Sequence, residues 1–207
     1  MPTRKLPQKL YKYRSFDTYS LRLLSQAESY YASPRRFNDP LDCDPTVQID
    51  TDRASIERLC FQMLIAEHGE EKAEKVMGNH RFNSTEYGDY KTDPKVEKYY
   101  MRLLGSEIKK LVDAEMASWG VLSLAERWNC PLMWSHYADE HRGLCIEYDL
   151  THNACSQIRP VDYRRARSIK VTELMQWKLQ KSAEAEQNVL DTYFFAKSPQ
   201  WRYEKEW

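Results

Sequence analysis

The sequence predicts an α+β fold with a mixed or antiparallel sheet of five to seven strands, flanked by helices. Several short stretches alternate bulky and polar residues, which is typical of strands. Several longer stretches carry apolar residues at three- and four-residue spacing, which is typical of amphipathic helices. The chain has 207 residues, of which 42% are apolar, so residues 1–207 are expected to form a single domain around one core.

The first predicted strand is LYKYR at 10–14, near the N-terminus. Further strands are predicted at 30–33, 121–124, 143–148, 161–163 and 201–207. The last of these alternates up to the final residue, without turn residues. Because a natural domain seldom ends inside a strand, we expect the C-terminal strand to be truncated.

Helices are predicted between these strands. Asp17 is expected to cap the first helix, because an aspartate side chain accepts hydrogen bonds from free N–H groups at a helix start. The helical periodicity of 54–66 and 95–117 predicts a helical insertion at about 52–118. Between them, 68–94 is poor in apolar residues and is expected to form a broken helix and an exposed loop. Two further helices are expected at 131–138 and 172–190.

The composition excludes several classes of protein. The 31 basic and 31 acidic residues balance, which argues against coating of nucleic acid by bulk positive charge. No apolar run is long enough for a membrane span, and the N-terminus lacks the apolar core of a signal peptide. The five cysteines include no CxxC pair, so neither a disulfide framework nor a zinc knuckle is indicated. A cytoplasmic protein with reduced thiols is therefore expected.

The aromatic content indicates a pocket. The chain has 14 tyrosines and 6 tryptophans, whose apolar rings and polar tips suit the binding of a flat polar ligand. An aromatic-rich core would explain most of them equally well. The motifs GxGxxG, GxxxxGK[ST], GxSxG and HExxH are absent, which argues against Rossmann, P-loop, serine-hydrolase and zincin chemistry.

The segment 134–143 (WSHYADEHRG) is the densest polar cluster in the sequence. His136, Asp139 and His141 would form a metal-dependent hydrolase site only with a further ligand from elsewhere, and their spacing fits no standard helix-face pair. The favoured interpretation is a corner pinned by side-chain hydrogen bonds, with His136 facing a pocket.

Two basic segments indicate an alternative function. Arg35 and Arg36 precede Asn38 in a turn that binds an anionic ligand or serves only as a rigid connection. A second basic run, RRAR, occupies 164–167. Together with exposed aromatic residues, these arginines would form a non-catalytic module that recognises a nucleotide or a nucleic acid. A solvated surface explains the basic run as easily.

Two glutamates lie close together at the C-terminus. In a strand, the alternation of side chains places Glu204 and Glu206 on the same face. Neighbouring carboxylates repel each other, which raises the pKa of one of them and makes it a candidate base. The alternative is a solvated strand face.

Several of these strings together resemble a bacterial family described as domain-of-unknown-function family 2971. They are LYKYRS (10–15), ASPRRFNDPLD (32–42), GVLSLAE (120–126), PLMWSHYADEHRGLCIEYD (131–149) and WRYEKEW (201–207). At a greater distance, the order of the strings is similar to the ADP-ribosyltransferase fold, in which an early strand binds NAD and a late strand supplies a catalytic glutamate.

This distant resemblance implies a set of site residues. Arg14, or Lys12, would anchor the dinucleotide, and Ser33 would shape the nicotinamide pocket. Tyr31, or its neighbour Tyr30, would stack on the nicotinamide. Glu206 would stabilise the positive charge that develops on the ribose, and Glu204 would orient the nucleophile. The other candidates are Tyr13, Asn38 and Tyr137 for cofactor binding and His136 for catalysis.

The leading hypothesis is therefore an enzyme that uses NAD to modify a macromolecule, as a toxin or a phage-defence effector does. NAD is the expected cofactor, and no metal is expected. The alternatives are the recognition module and the metal-dependent hydrolase described above. No membrane partner is expected.

Overall fold

The computed structural model of the chain describes residues 4–151 and 158–207. Within it the chain divides into two compact units. The first unit comprises Met1–Asp42, Trp119–Arg165 and Phe195–Trp207, and the second unit comprises Cys43–Ser118 and Ala166–Phe194.

Strands and helices are interspersed along the chain. The strands are β1 (Lys9–Arg14), β2 (Thr46–Gln48), β3 (Leu144–Asp149) and β4 (Ser168–Lys170). The α-helices are α1 (Thr18–Gln26), α2 (Arg53–His68), α3 (Glu70–Thr85), α4 (Pro94–Met116), α5 (Pro131–Tyr137), α6 (Val171–Lys178) and α7 (Ala183–Phe195). Two 3-10 helices occupy Pro34–Arg36 and Pro199–Glu204.

The α+β class is correct, but the predicted sheet of five to seven strands is wrong. The described residues contain four strands in two separate two-stranded sheets, one in each unit. In the first unit β1 pairs antiparallel with β3, and Leu10 lies opposite Tyr148. In the second unit β2 and β4 are parallel.

The other predicted strands pair too briefly to extend a sheet. Isolated bridges join Ala32 to Val121 and Asp162 to Ala196. The predicted C-terminal strand is a 3-10 helix up to Glu204, and only Glu206 forms a bridge. Alternation over four or five residues does not specify a ladder, because pairing also needs a partner that stays extended alongside.

The predicted helices form, with two changes. α2 and α4 cover the two periodic stretches, while the intervening region contains the 16-residue α3 rather than a broken helix. The helix predicted at 172–190 is divided into α6 and α7. Lys181 in the connection has a left-handed backbone with φ of 57°, which ends the helical path. None of the helices in the described part of the chain combines the length and apolar character needed to cross a membrane.

The segment that contains Ala125 joins the two ends of the first unit. Ala125 exchanges backbone hydrogen bonds with Tyr11 of β1 at 2.8 Å in both directions. The neighbouring Leu124 exchanges two more with Trp207, at 3.1 and 2.8 Å. Leu10, Leu124 and Trp207 are buried together behind this ladder. The terminal residues are therefore held beside β1 through one intervening segment.

A second core cluster of the first unit forms where α5 packs on β1. Tyr13, Ala125, Met133 and Ala138 are its buried members. The Tyr13 hydroxyl donates to the Arg127 carbonyl at 2.7 Å and accepts from the Cys130 N–H at 3.2 Å. Because both hydrogen bonds go to the backbone, Tyr13 fixes the chain that leads into α5.

The core of the second unit is helical. α2 packs against α3, α4 and α6, and α4 also contacts β2. The fully buried residues include Ile56, Leu59, Leu64, Leu104 and Ile108. Asp52 caps α2 by accepting from the Ser55 N–H at 2.9 Å, and Asp93 caps α4 by accepting from the Lys95 N–H at 2.8 Å.

Gly143 provides a direct test of the packing in the first unit. A Cβ atom at this position would lie 2.2 Å from the Arg14 carbonyl oxygen and 2.9 Å from the Ala138 backbone. We expect Gly143→Ala to lower the free energy of unfolding by about 1–3 kcal/mol, because backbone atoms must move. In the matched variant, Gly78→Ala in α3, the new methyl group meets open space, so we expect up to about 1 kcal/mol of stabilisation. Urea unfolding of both variants measures the difference, and equal midpoints would contradict the packing.

Candidate functional site: a lysine buried among three carboxylates

Lys197 lies at the centre of a buried ionic cluster in the first unit. Its Nζ atom is 2.7 Å from Glu204, 2.8 Å from Glu206 and 3.0 Å from Asp42. The exposed fraction of the side chain is 9% for Lys197 and Asp42, 0% for Glu204 and 12% for Glu206. One ammonium therefore faces three carboxylates almost out of contact with water.

The local backbone explains how the two glutamates converge. Glu204 ends the 3-10 helix, and Lys205 then has a left-handed backbone with φ of 47° and ψ of 52°. This turn redirects the chain so that Glu206 bridges Ala125. The Glu206 N–H donates to the Tyr163 hydroxyl at 2.9 Å, and the Glu206 carbonyl accepts from the Val161 N–H at 3.0 Å. A helix end followed by a tight turn, rather than a strand face, brings the carboxylates together.

The charges of the cluster do not balance. Burial lowers the pKa of the Lys197 ammonium, but attraction to the three carboxylates outweighs this effect and raises its pKa above the ordinary value. Burial raises the pKa of Asp42, and Lys197 offsets this only in part. Burial also raises the pKa of Glu206, and the neighbouring charge of Glu204 adds to the rise. The excess of negative charge favours a bound proton on Asp42 or Glu206.

Glu204 and Asp42 differ in whether both of their carboxylate oxygens have a partner. Glu204 is fully engaged, since Oε2 contacts Lys197 and Oε1 accepts from the Tyr137 hydroxyl at 2.6 Å. The Oδ1 atom of Asp42 is buried and has no hydrogen-bond partner among the described residues. Leaving a buried acceptor unsatisfied is costly. Asp42 therefore has one oxygen free to bind a proton or a ligand hydroxyl.

Tyr137 extends the cluster towards solvent. Burial raises the pKa of its hydroxyl, and the hydrogen bond to Glu204 raises it further. The Asn38 side-chain amide lies 3.5 Å from the same hydroxyl, at the limit of a hydrogen bond. Nearby, the Trp201 indole donates to Asp39 at 2.6 Å, and its ring lies beneath the Lys197 ammonium, 5.2 Å from Nζ. This chain of polar groups leads from the buried lysine to the exposed Asn38.

Lys12 of β1 lies within electrostatic reach of the cluster. Its Nζ atom donates to the Ser123 carbonyl at 2.8 Å. Burial lowers the pKa of Lys12 to about 8, and the negative charges of Glu206 and Glu204 oppose this shift. Lys12 thus remains mostly protonated at neutral pH, on the side of the cluster nearest β1.

The remaining predicted NAD-binding residues lie in different surroundings. Burial is the main cause that raises the pKa of Tyr148, while the positive charge of Arg14 lowers this pKa and the phenol of Tyr31 raises it. Tyr31 is 56% exposed, and Ser33 is half-buried at the start of the first 3-10 helix. Tyr13 lies in the core and uses its hydroxyl on the backbone, as described above.

The histidine cluster shows no metal-site geometry. His136 is exposed on α5, with its ring 6.2 Å from that of Trp201. Asp139 accepts from Arg142 at 3.1 Å, and His141 is exposed. Across residues 4–151 and 158–207, no three His, Cys, Asp or Glu side chains are arranged to hold a metal ion. Cys60, Cys130 and Cys145 are free thiols, and Cys155 lies outside the described residues.

Asp42 and Lys197 are the site residues that the sequence did not reveal. Lys197 follows an apolar stretch, YFFA, where a charged residue needs a buried partner. Asp42 ends the string ASPRRFNDPLD, in which the sequence points to Ser33, the two arginines and Asn38 but not to Asp42. An isolated lysine after an apolar run is a usable signal, but the identity of its partners depends on pairing across the fold.

The fold and the cluster together define an α+β protein whose first unit contains a buried lysine–carboxylate site. Residues 133–207 match the model of a family described as a protein of unknown function, DUF2971, so the resemblance to this family is confirmed over that range. The matched range contains Tyr137, Lys197, Glu204 and Glu206, whereas Lys12 and Asp42 precede it. Comparison with curated proteins found no match. Comparison with solved structures found none either.

Removing the lysine should show how much the cluster depends on it. We expect Lys197→Met to lower the free energy of unfolding by about 3–5 kcal/mol, because three carboxylates would remain buried without a cation. The matched variant Lys110→Met removes a lysine that is 71% exposed, and its effect should be small. Urea unfolding at neutral pH measures both.

The pH dependence of the same variant has a defined sign. A carboxyl whose pKa is raised in the folded state binds more protons there than in the unfolded chain, so its burial becomes less costly as the pH falls. The loss in free energy of unfolding that Lys197→Met causes should therefore shrink as the pH is lowered towards the ordinary carboxyl pKa values, 3.8 for Asp42 and 4.5 for Glu206. A loss that is small at neutral pH, or that grows in acid, would contradict the ionic cluster.

Proposed function

We propose that the first unit contains an enzyme site that breaks the glycosidic bond between nicotinamide and ribose in NAD, in the manner of an ADP-ribosyltransferase. The observation that carries the proposal is that the fold brings β1 and Glu206 together, because Ala125 bridges both Tyr11 and Glu206. Lys12 adjoins Tyr11 on β1, and the charge of Glu206 raises the pKa of Lys12 against the effect of burial. A cation for the pyrophosphate and a carboxylate for the ribose are the two charges that this reaction needs.

Glu206 is the carboxylate suited to the reacting carbon. When the bond between ribose C1′ and the ring nitrogen breaks, nicotinamide leaves with the bonding electrons and positive charge develops on the ribose. A carboxylate in a site of low polarity lowers the energy of this charge. Glu206 keeps 12% of its side chain exposed, whereas Glu204 is fully buried and committed to Tyr137 and Lys197.

Lys197 and Glu204 are proposed as positioning residues. The Lys197 ammonium holds Glu206 by a 2.8 Å contact and counteracts its tendency to protonate. Glu204 and Asp42 hold Lys197 in turn, at 2.7 and 3.0 Å. The free Oδ1 of Asp42 is the acceptor proposed for a ribose hydroxyl or for the proton of the incoming nucleophile.

Residues around the mouth of the site complete the proposal. Asn38 and Tyr137 line the polar path from the cluster to solvent and are proposed to contact the ribose. Arg14 and Tyr31, which both act on the pKa of Tyr148, would receive the phosphates and the nicotinamide ring. The ADP-ribose group would be transferred to water in the simplest case and to a macromolecule in the biological reaction.

Glu206→Gln tests the proposal. The substitution keeps the size of the side chain and an oxygen that can accept from Lys197, but it removes the negative charge. We expect release of nicotinamide from NAD to fall at least about 100-fold, in line with the loss of other electrostatic groups that act on the transition state. Chromatographic detection of nicotinamide measures the rate.

The matched control is Glu147→Gln on β3, which removes an exposed carboxylate paired with Lys9. It should leave the rate unchanged. Circular dichroism and the thermal midpoint establish that each variant is folded. Undiminished release by Glu206→Gln would remove this residue from the mechanism, and absence of release by the natural chain would exclude NAD as the substrate.

A further inference from the structure

The surface formed by α1 and the segment that follows it carries exposed aromatic residues. The exposed fraction is 46% for Tyr19 and 56% for Tyr31, and Tyr30 is half-buried. The rings of Tyr19 and Tyr30 lie 4.8 Å apart at an angle of 35°. We call this ring pair, with Arg36, the aromatic platform.

Arg36 places a positive charge beside the two tyrosine rings of the platform. Its guanidinium donates to the Tyr30 hydroxyl at 3.0 Å, which fixes the charge at the edge of the ring pair. Arg35 is also exposed in the same 3-10 helix. A guanidinium beside a ring offers both a phosphate contact and a flat surface on which a base can stack.

The local charge differs from the balanced charge of the whole chain. Residues 14–36 contain four arginines and two carboxylates. Both carboxylates are engaged, since Asp17 caps α1 through the Ser20 N–H at 2.8 Å and Glu28 pairs with Arg22 at 3.9 Å. In the described part of the chain, Arg35 and Arg36 have no carboxylate within salt-bridge distance, so their charges are available to an anionic partner.

We propose that the aromatic platform binds single-stranded nucleic acid, with unpaired bases stacking on Tyr19 and Tyr30 and phosphates contacting Arg35 and Arg36. Exposed rings interleaved with cations are the arrangement by which proteins bind single strands without reading their sequence. A base needs an open ring face, and paired bases in a duplex cannot reach one. The partner is therefore a single strand rather than a duplex.

The test measures binding of fluorescein-labelled oligothymidylate and oligouridylate by fluorescence anisotropy, beside a duplex of the same length. We expect the single strands to bind more tightly than the duplex. With the two phosphate contacts of Arg35 and Arg36, the affinity should fall with salt at a logarithmic slope of about −1.4. Tyr19→Ala and Arg36→Gln should each weaken binding about fivefold or more.

The second unit provides matched controls. Tyr87 is 67% exposed and its ring lies 5.2 Å from that of Tyr99, so Tyr87→Ala removes a comparable ring pair elsewhere. Arg102→Gln removes an exposed arginine of α4. Both should leave binding within about twofold. Thermal midpoints establish that all four variants are folded.

Four results would overturn the proposal. The first is no change in anisotropy up to about 100 µM protein, the weak end of non-specific binding. The second is equal affinity for the single strand and the duplex, which would exclude stacking. The third is an equal loss in the platform variants and the control variants. Leu21→Ser and Leu24→Ser change the exposed apolar side chains of α1, and a loss of oligonucleotide binding confined to them would also overturn it.

Discussion

The burial of the Lys197 ammonium is the constraint on which the first unit depends. A charged group out of water must be surrounded by opposite charge or it will not stay charged. Here three carboxylates meet that need. Glu204 and Glu206 lie on the two sides of the turn at Lys205, and Asp42 comes from a distant part of the chain. The 3-10 helix that ends at Glu204, the left-handed Lys205 and the bridge at Ala125 together bring Glu204 and Glu206 to one ammonium.

The cluster also connects stability to chemistry. Three acids around one base leave an excess of negative charge, which raises the pKa of Asp42 and Glu206 and leaves the Oδ1 atom of Asp42 without a partner. Buried, unbalanced groups of this kind are costly to a fold and are concentrated at functional sites. Tyr137 of α5 donates a hydrogen bond to Glu204 of the cluster, and the charges of Glu206 and Glu204 raise the pKa of Lys12 on β1 against the effect of burial.

The sequence predicted what depends on local spacing. The helices α2 and α4 follow from apolar residues three and four apart, and β1 and β3 follow from alternation that both partners share. The strands predicted at 30–33 and 121–124 fail because their segments meet only at Ala32 and Val121. Strand alternation predicts that Glu204 and Glu206 share one face. The two side chains do converge, but through the end of a 3-10 helix and a turn rather than along a strand. Asp42 and Lys197 could not be paired from sequence, because their contact depends on the tertiary fold.

The state of the Lys197 side chain tests the account most directly. Selective nitrogen-15 labelling of lysine allows its ammonium to be followed by NMR during a pH titration. We expect the Lys197 ammonium to exchange slowly with water and to remain protonated well above the ordinary lysine pKa of 10.5. A Lys197 signal that titrates near 10.5 and exchanges rapidly would mean that the ammonium is exposed to water, and the buried cluster would then not exist.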